Sequence, residues 1–208
     1  QGQQSNHSPL FSRQNLVAWC IVPFDKMKRT PEERGEMLES LGITQLAYDW
    51  RLEHLPTMDS EIKALKQHGI KLKAVWFWVT DGSNKSMDED NHFILKTLKE
   101  NNVKTELWLS FNDSYFADLS DGEKLQKAIK AVDEINKQAN AIGCTVHLYN
   151  HGSWFGEPEN QVNIIKALGT ENVGIVYNFH HARHQVEKFA ENLALMKPWL
   201  STVNINGM

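Results

Sequence analysis

Apolar residues in this chain gather into short runs that alternate with amphipathic stretches. Runs at 16–22, 45–50, 72–79, 105–111, 145–150 and 173–178 are strand-like, and a seventh follows at 201–206. The stretches between them carry helix punctuation. Thr30-Pro31-Glu32-Glu33 offers an N-cap, a proline at the first helical position and a capping-box glutamate. Ser86-Met87-Asp88-Glu89 and Ser120-Asp121-Gly122-Glu123 repeat the capping-box spacing, and Gly42, Gly69, Gly143 and Gly169 stand where helices should stop. The pattern predicts six βα units and a seventh strand.

Within the runs, one phase is apolar: Leu46, Tyr48, Leu107, Leu109, Val146, Leu148, Ile175, Tyr177, Val203 and Ile205. The other is polar, with Asp49, Arg51, Lys73, Glu106, Ser110, Asn112, His147, Tyr149, His151, Asn178, His180, Thr202, Asn204 and Asn206. A doubly wound sheet buries both strand faces under helices and would be apolar on both. A barrel needs one face for its helices and one for an interior that ends in the active site. The expected fold is therefore α/β, a (β/α)8 TIM-type barrel. Such barrels have roughly 250 residues, so the eighth strand, one helix and a closing helix are expected to be missing from this chain. The reading favoured is a fragment, because an apolar last strand would leave a row of unpaired backbone groups. Closure by seven strands or by a partner chain, as a homo-oligomer, is the alternative.

The barrel is expected over 15–208. Residues 1–14 read as a disordered or processed tail, polar and without an initiator Met. On that basis a periplasmic or secreted location is expected, with the cytoplasm as the alternative. Composition narrows the partners. At 208 residues and 41% hydrophobic content the chain can form one sizeable core. A net charge of −4 gives no global attraction for phosphate backbones, so no nucleic acid is expected. No apolar run reaches the roughly 18 residues that span a bilayer. Cys20 and Cys144 belong to no metal-ligand spacing and read as small buried residues.

The segments Leu16-Val17-Ala18-Trp19-Cys20-Ile21-Val22-Pro23-Phe24-Asp25, Ala47-Tyr48-Asp49-Trp50-Arg51, Leu148-Tyr149-Asn150-His151-Gly152 and Asn178-Phe179-His180-His181 carry a family resemblance. From about Asn15 onward the chain resembles the xylose-isomerase-like TIM barrels, the sugar phosphate isomerases and epimerases of the AP endonuclease 2-like superfamily. The resemblance implies a small-molecule carbohydrate substrate and one divalent cation (Mn²⁺, Mg²⁺ or Co²⁺). In the family the cation is held by a Glu on strand five, an Asp on strand six, a His on strand seven and a Glu on strand eight. Tyr149, Asn178 and Asn204 fall on the first three of these positions, and the fourth lies outside the chain. Three neutral groups weaken a hard-cation site, so the ligand set here is unknown. His181 matches the family's motif histidine, which usually contacts the sugar.

A histidine is more often structural than catalytic, yet one at a strand's C-terminal end in a barrel stands at the active-site face. His151 and His181 are the catalytic candidates on that ground, while His147, deeper in its strand, reads as a packed interior residue. Lys73 and Glu106 share the inward phase. They read first as a buried ion pair, and second as a desolvated base. Asp49, Arg51 and Glu157 could bind sugar hydroxyls, with Glu157 equally a first-turn carboxylate favoured by the helix dipole. Trp19 and Trp78 offer aromatic faces for sugar C–H groups, though tryptophan is usually buried for packing. The leading expectation is isomerase or epimerase chemistry by proton abstraction beside a carbonyl, with Tyr149, Asn178 and Asn204 lining the substrate. A keto-sugar lyase or hydratase and a non-catalytic carbohydrate-binding barrel are the alternatives.

Overall fold

The computed structural model describes residues 12–80 and 87–205. Among these residues helices and strands alternate: α1 (Pro31–Ser40), β1 (Gln45–Tyr48), α2 (Met58–Gln67), β2 (Lys71–Val79), α3 (Glu89–Glu100), β3 (Glu106–Phe111), α4 (Asp121–Ala141), β4 (Thr145–Tyr149), α5 (Pro158–Leu168), β5 (Val173–Asn178), α6 (Phe189–Met196) and β6 (Leu200–Asn204). The strands follow one another in the sheet in sequence order. A helix connects each strand to the next, which is the connectivity of a TIM-type barrel. The chain forms two compact units that divide within β2, between Val75 and Trp76.

In the first unit the strand expected at 16–22 is reduced to a single parallel bridge between Ala18 and Leu46. The reason is local. Cys20 adopts φ of 60°, in the left-handed region, and this turns the backbone out of the extended path before a ladder can form. Further on, α1 begins as expected: Thr30 and Glu33 form a reciprocal capping box, with Pro31 at the first position. β1 pairs in parallel with β2 from Gln45 opposite Lys71 to Tyr48 opposite Val75. Between α1 and α2, Arg34 makes a fork to Glu61, Nε to Oε1 at 2.8 Å and Nη2 to Oε2 at 3.2 Å. Burial pushes the Glu61 carboxyl up, and the guanidinium offsets only part of that shift.

Asp49 directly follows β1 and is fully buried. Desolvation pushes it up to about 7, offset in part by its own backbone amide, the Cys20 thiol, the Arg51 charge and the Val22 amide. A carboxyl raised in the folded state holds a proton that the unfolded chain has released. Stability should therefore fall as pH rises from about 4 to about 7 and level off above that range. Asp49→Asn removes the ionisation while keeping the shape. Its melting temperature at pH 8 should exceed that of the wild type by several degrees, with the difference closing toward pH 4. An unchanged or lower value at pH 8 would contradict the burial argument.

In the second unit β3, β4, β5 and β6 pair in parallel, with Glu106 opposite Thr145, Val146 opposite Val173 and Asn178 opposite Asn204. Leu107, Leu109, Val146, Leu148, Ile175 and Tyr177 are buried, as their phase predicts. Val203 and Ile205 depart from that prediction at 37% and 75% exposed, because no described helix follows β6 to cover them. Ser120 and Glu123 form the expected capping box on α4. The N-cap of α3 is Asp88, which accepts from the Asn91 amide at 3.0 Å. The box expected to start at Ser86 lies partly outside the described residues. Gly42, Gly69, Gly143 and Gly169 all have positive φ at helix ends.

His147 is half-buried and hydrogen-bonded through both ring nitrogens. Its ring nitrogens meet Thr145 Oγ1 at 3.1 Å and Ser201 Oγ at 2.6 Å, and the Ser201 hydroxyl bonds Ile175 O at 3.1 Å. The imidazole crosses β5 at Gly174, where any Cβ would lie 2.9 Å from its Nδ1. A glycine there lets one side chain tie β4 to β6. No helix among the described residues is long and apolar enough to cross a membrane.

Candidate active site

The C-terminal ends of β4, β5 and β6 bring Tyr149, His151, Asn178, His181 and Asn204 together. The chain leaves β4 through Asn150, whose side chain acts as a length of strand. Its Nδ2 donates to Asn178 O at 3.0 Å, and its Oδ1 accepts from Asn178 N at 2.6 Å. The ladder between the two strands is thus continued by a side chain. Beyond it the loop folds tightly. Gly152 has φ of 98°, and a Cβ on Gly156 would lie 2.4 Å from Gly152 O. Asp113 holds this loop by accepting from Ser153 N at 2.9 Å and Ser153 Oγ at 2.8 Å.

His151 therefore leaves a rigid strand end, and its ring lies 4.4 Å from that of His181, centroid to centroid. Trp78 stands edge-on to His151 at 4.8 Å, Trp76 at 5.9 Å, and Tyr149 lies 6.5 Å away and nearly parallel. Burial pushes both imidazoles down. His181 falls to about 4, since a charge on it would also face His151 and His180, while the Asp113 carboxylate partly offsets the fall at His151. Both are neutral at pH 7. His151 Nδ1, just past β4, and Ser110 Oγ, on β3, are buried without a hydrogen-bond partner among the described residues. Such atoms are costly unless something completes them, and this end of a barrel is where a ligand does so.

Tyr149, Asn178 and Asn204 form a cluster of their own, buried to 1%, 2% and 6% exposure. Asn178 Nδ2 donates a short hydrogen bond to the Tyr149 hydroxyl, and Asn204 Nδ2 donates to the same oxygen at 3.4 Å. The Asn178 orientation is fixed by its other end, because Oδ1 accepts the His180 amide at 2.8 Å. Trp108 stacks on the Tyr149 ring at 6.0 Å and 11°. All three donors are uncharged and already bonded to one another. They do not fit a hard divalent cation, which needs converging oxygen lone pairs and negative charge. Among the described residues no group of three His, Cys, Asp or Glu could hold a metal ion.

Glu106 and Glu157, of the same unit as the site, have partners of their own. Glu106 accepts from Trp108 Nε1 at 3.0 Å and comes within 3.8 Å of His147 Nδ1. Glu157 is the N-cap of α5, and its carboxylate meets His184 Nε2 at 2.6 Å and Gln185 Nε2 at 3.0 Å. In the first unit, Arg51 donates to Trp50 O at 2.8 Å and lies 5.4 Å over the Phe24 ring. Lys73 and Trp19 are half-buried, and Asp49 is enclosed as described above. Sequence reasoning missed the Asn150 clamp, the Asp113 anchor and the Glu157–His184 pair. Asn150 stood inside a quoted motif. The other two join residues 40 and 27 apart, with no local signal.

Solved structures share this fold over 70% or more of the chain. A D-psicose 3-epimerase in the presence of D-fructose matches with a TM-score of 0.68 and 14% identity, over 90% of this chain and 71% of its own. A xylose isomerase domain containing protein from Salmonella typhimurium matches at 0.69 and 10% identity, over 95% and 72%. The IolI protein with a binding zinc atom matches at 0.53 and 19% identity, over 70% and 56%. These likenesses establish the fold. No family model and no curated protein matches the chain.

Proposed function

We propose that this chain is a sugar or sugar-phosphate isomerase or epimerase that works by proton abstraction beside a carbonyl. The carrying observation is the His151–His181 pair, 4.4 Å apart, walled by Trp76, Trp78 and Tyr149 where strands end. A neutral imidazole can accept a carbon-bound proton, and a base tuned near the working pH does so best. That criterion separates the two. His181, pushed down to about 4, is too weakly basic to take up a proton near neutrality. His151 is the base, and His181 holds its ring edge-on and contacts the substrate. The tryptophans offer apolar faces to sugar C–H groups, and Ser110 Oγ and His151 Nδ1 have hydrogen-bonding capacity that sugar hydroxyls would complete. No step here passes through a cation.

The test is proton NMR of D-fructose and dihydroxyacetone incubated with the chain in D₂O. Loss of signal from the hydrogen next to the carbonyl, with a new epimer or isomer from D-fructose, is the expected result. Sugar binding without exchange would contradict the reading and favour a non-catalytic carbohydrate-binding barrel.

A further inference from the structure

An enolate forms wherever a proton is removed beside a carbonyl, and its oxygen needs a positive partner. The cluster that fails to fit a cation is built as such a partner. Tyr149 O receives N–H groups from Asn178 and Asn204, so both amide dipoles point their positive ends at the hydroxyl. The Asn178 amide cannot turn its carbonyl toward the same point at low cost. For Asn178 that would break the His180 N–H bond and the Tyr149 bond together, in a place buried to 2% exposure. The phenol ring is fixed as well. Trp108 stacks on one side at 6.0 Å, Trp76 tilts against it at 5.6 Å, and His181 stands edge-on at 5.8 Å. Oriented donors that need no rearrangement at the moment of reaction are what stabilise an oxyanion.

The geometry points to Tyr149, held by Asn178 and Asn204, as a cation-independent electrophilic centre whose hydroxyl donates a hydrogen bond to the enolate oxygen of the reacting sugar. This rests on the isomerase reading above. His151 takes the proton from carbon, and the C–H electron pair becomes the enolate double bond. The carbonyl pair moves onto oxygen, where Tyr149 O–H meets it. Return of the proton from the imidazolium to the former carbonyl carbon, while the neighbouring enediol hydroxyl passes its proton to the enolate oxygen, moves the carbonyl one carbon along with no oxidant or reductant. Tyr149 is the catalytic residue of the three, while Asn178 and Asn204 are positioning residues.

Two measurements test it. The chain, dialysed against chelator, is titrated with Mn²⁺ while free Mn²⁺ is followed by electron paramagnetic resonance. No stoichiometric binding is expected at submillimolar ion, and exchange of D-fructose hydrogen in D₂O should be unchanged by chelation. Stoichiometric Mn²⁺ binding with chelator-sensitive exchange would overturn the inference and leave the isomerase reading standing. Second, Tyr149→Phe keeps the ring stacked under Trp108 and removes only the hydroxyl. Its kcat should fall about 10²- to 10³-fold, with KM changed only a few-fold. An unaltered kcat would overturn the role of the hydroxyl. If the variant does not fold, the Mn²⁺ titration and the chelation test on the wild type still decide whether a cation is used. Failure of the wild type to exchange any ketose would sink the isomerase reading and with it the catalytic role of Tyr149, and the titration would separately decide cation exclusion.

Discussion

His151→Ala should lower the rate of hydrogen exchange from D-fructose by about 10²- to 10⁴-fold, the usual contribution of a positioned general base. The effect should fall on kcat, because the ring is small beside the tryptophan walls proposed to hold the sugar. Fold should survive, since the imidazole is half-buried and its Nδ1 makes no hydrogen bond that other residues depend on. His181→Ala should cost less. Burial lowers the His151 imidazole and the Asp113 carboxylate supports its basicity, and neither cause depends on the His181 ring. Equal losses from both variants would mean that the two rings act as one unit. A larger loss from His181→Ala would reverse the assignment of the base.

The second large effect concerns stability. Glu61→Ala should destabilise the chain by about 3–5 kcal/mol, because it leaves the Arg34 guanidinium charged and unpaired in a site where its side chain is 5% exposed. Arg34→Met should cost a comparable amount by stranding the Glu61 carboxylate. The double replacement Arg34→Met, Glu61→Leu is expected to lose much less than the sum of the single changes, since no buried charge remains. Burial already pushes the Glu61 carboxyl up despite its partner, so the pair gives little net stability even though breaking it is costly. Urea denaturation of the three variants measures this. Additive losses would show that the two side chains act independently.

Much of the fold was legible because strand and helix periods differ and helix ends carry their own chemistry. The run at 173–178 coincides with β5, and Thr30, Ser120 and four helix-end glycines took their expected places. The run at 16–22 misled because the left-handed turn at Cys20 has no sequence signature: cysteine is not a residue that marks such a turn. The site was legible in its residue types, less so in their grouping. His151 and His181 met as strand-end histidines should, and Tyr149, Asn178 and Asn204 met because three neighbouring strands end together. What the sequence could not show is direction: which amide end faces the phenol, and that Asn150 continues a ladder rather than facing a ligand. Glu157 looked like a sugar ligand or a first-turn carboxylate. It is an N-cap residue paired with His184, a partner 27 positions away.

The central claim is that half-buried neutral histidines and a cation-independent phenol cluster move a proton beside a sugar carbonyl. Deuterium incorporation into D-fructose by chelator-treated wild-type chain tests it most directly. The account predicts incorporation next to the carbonyl at the same rate before and after chelation. Incorporation that appears only when a divalent cation is restored, or none under any condition, would contradict it.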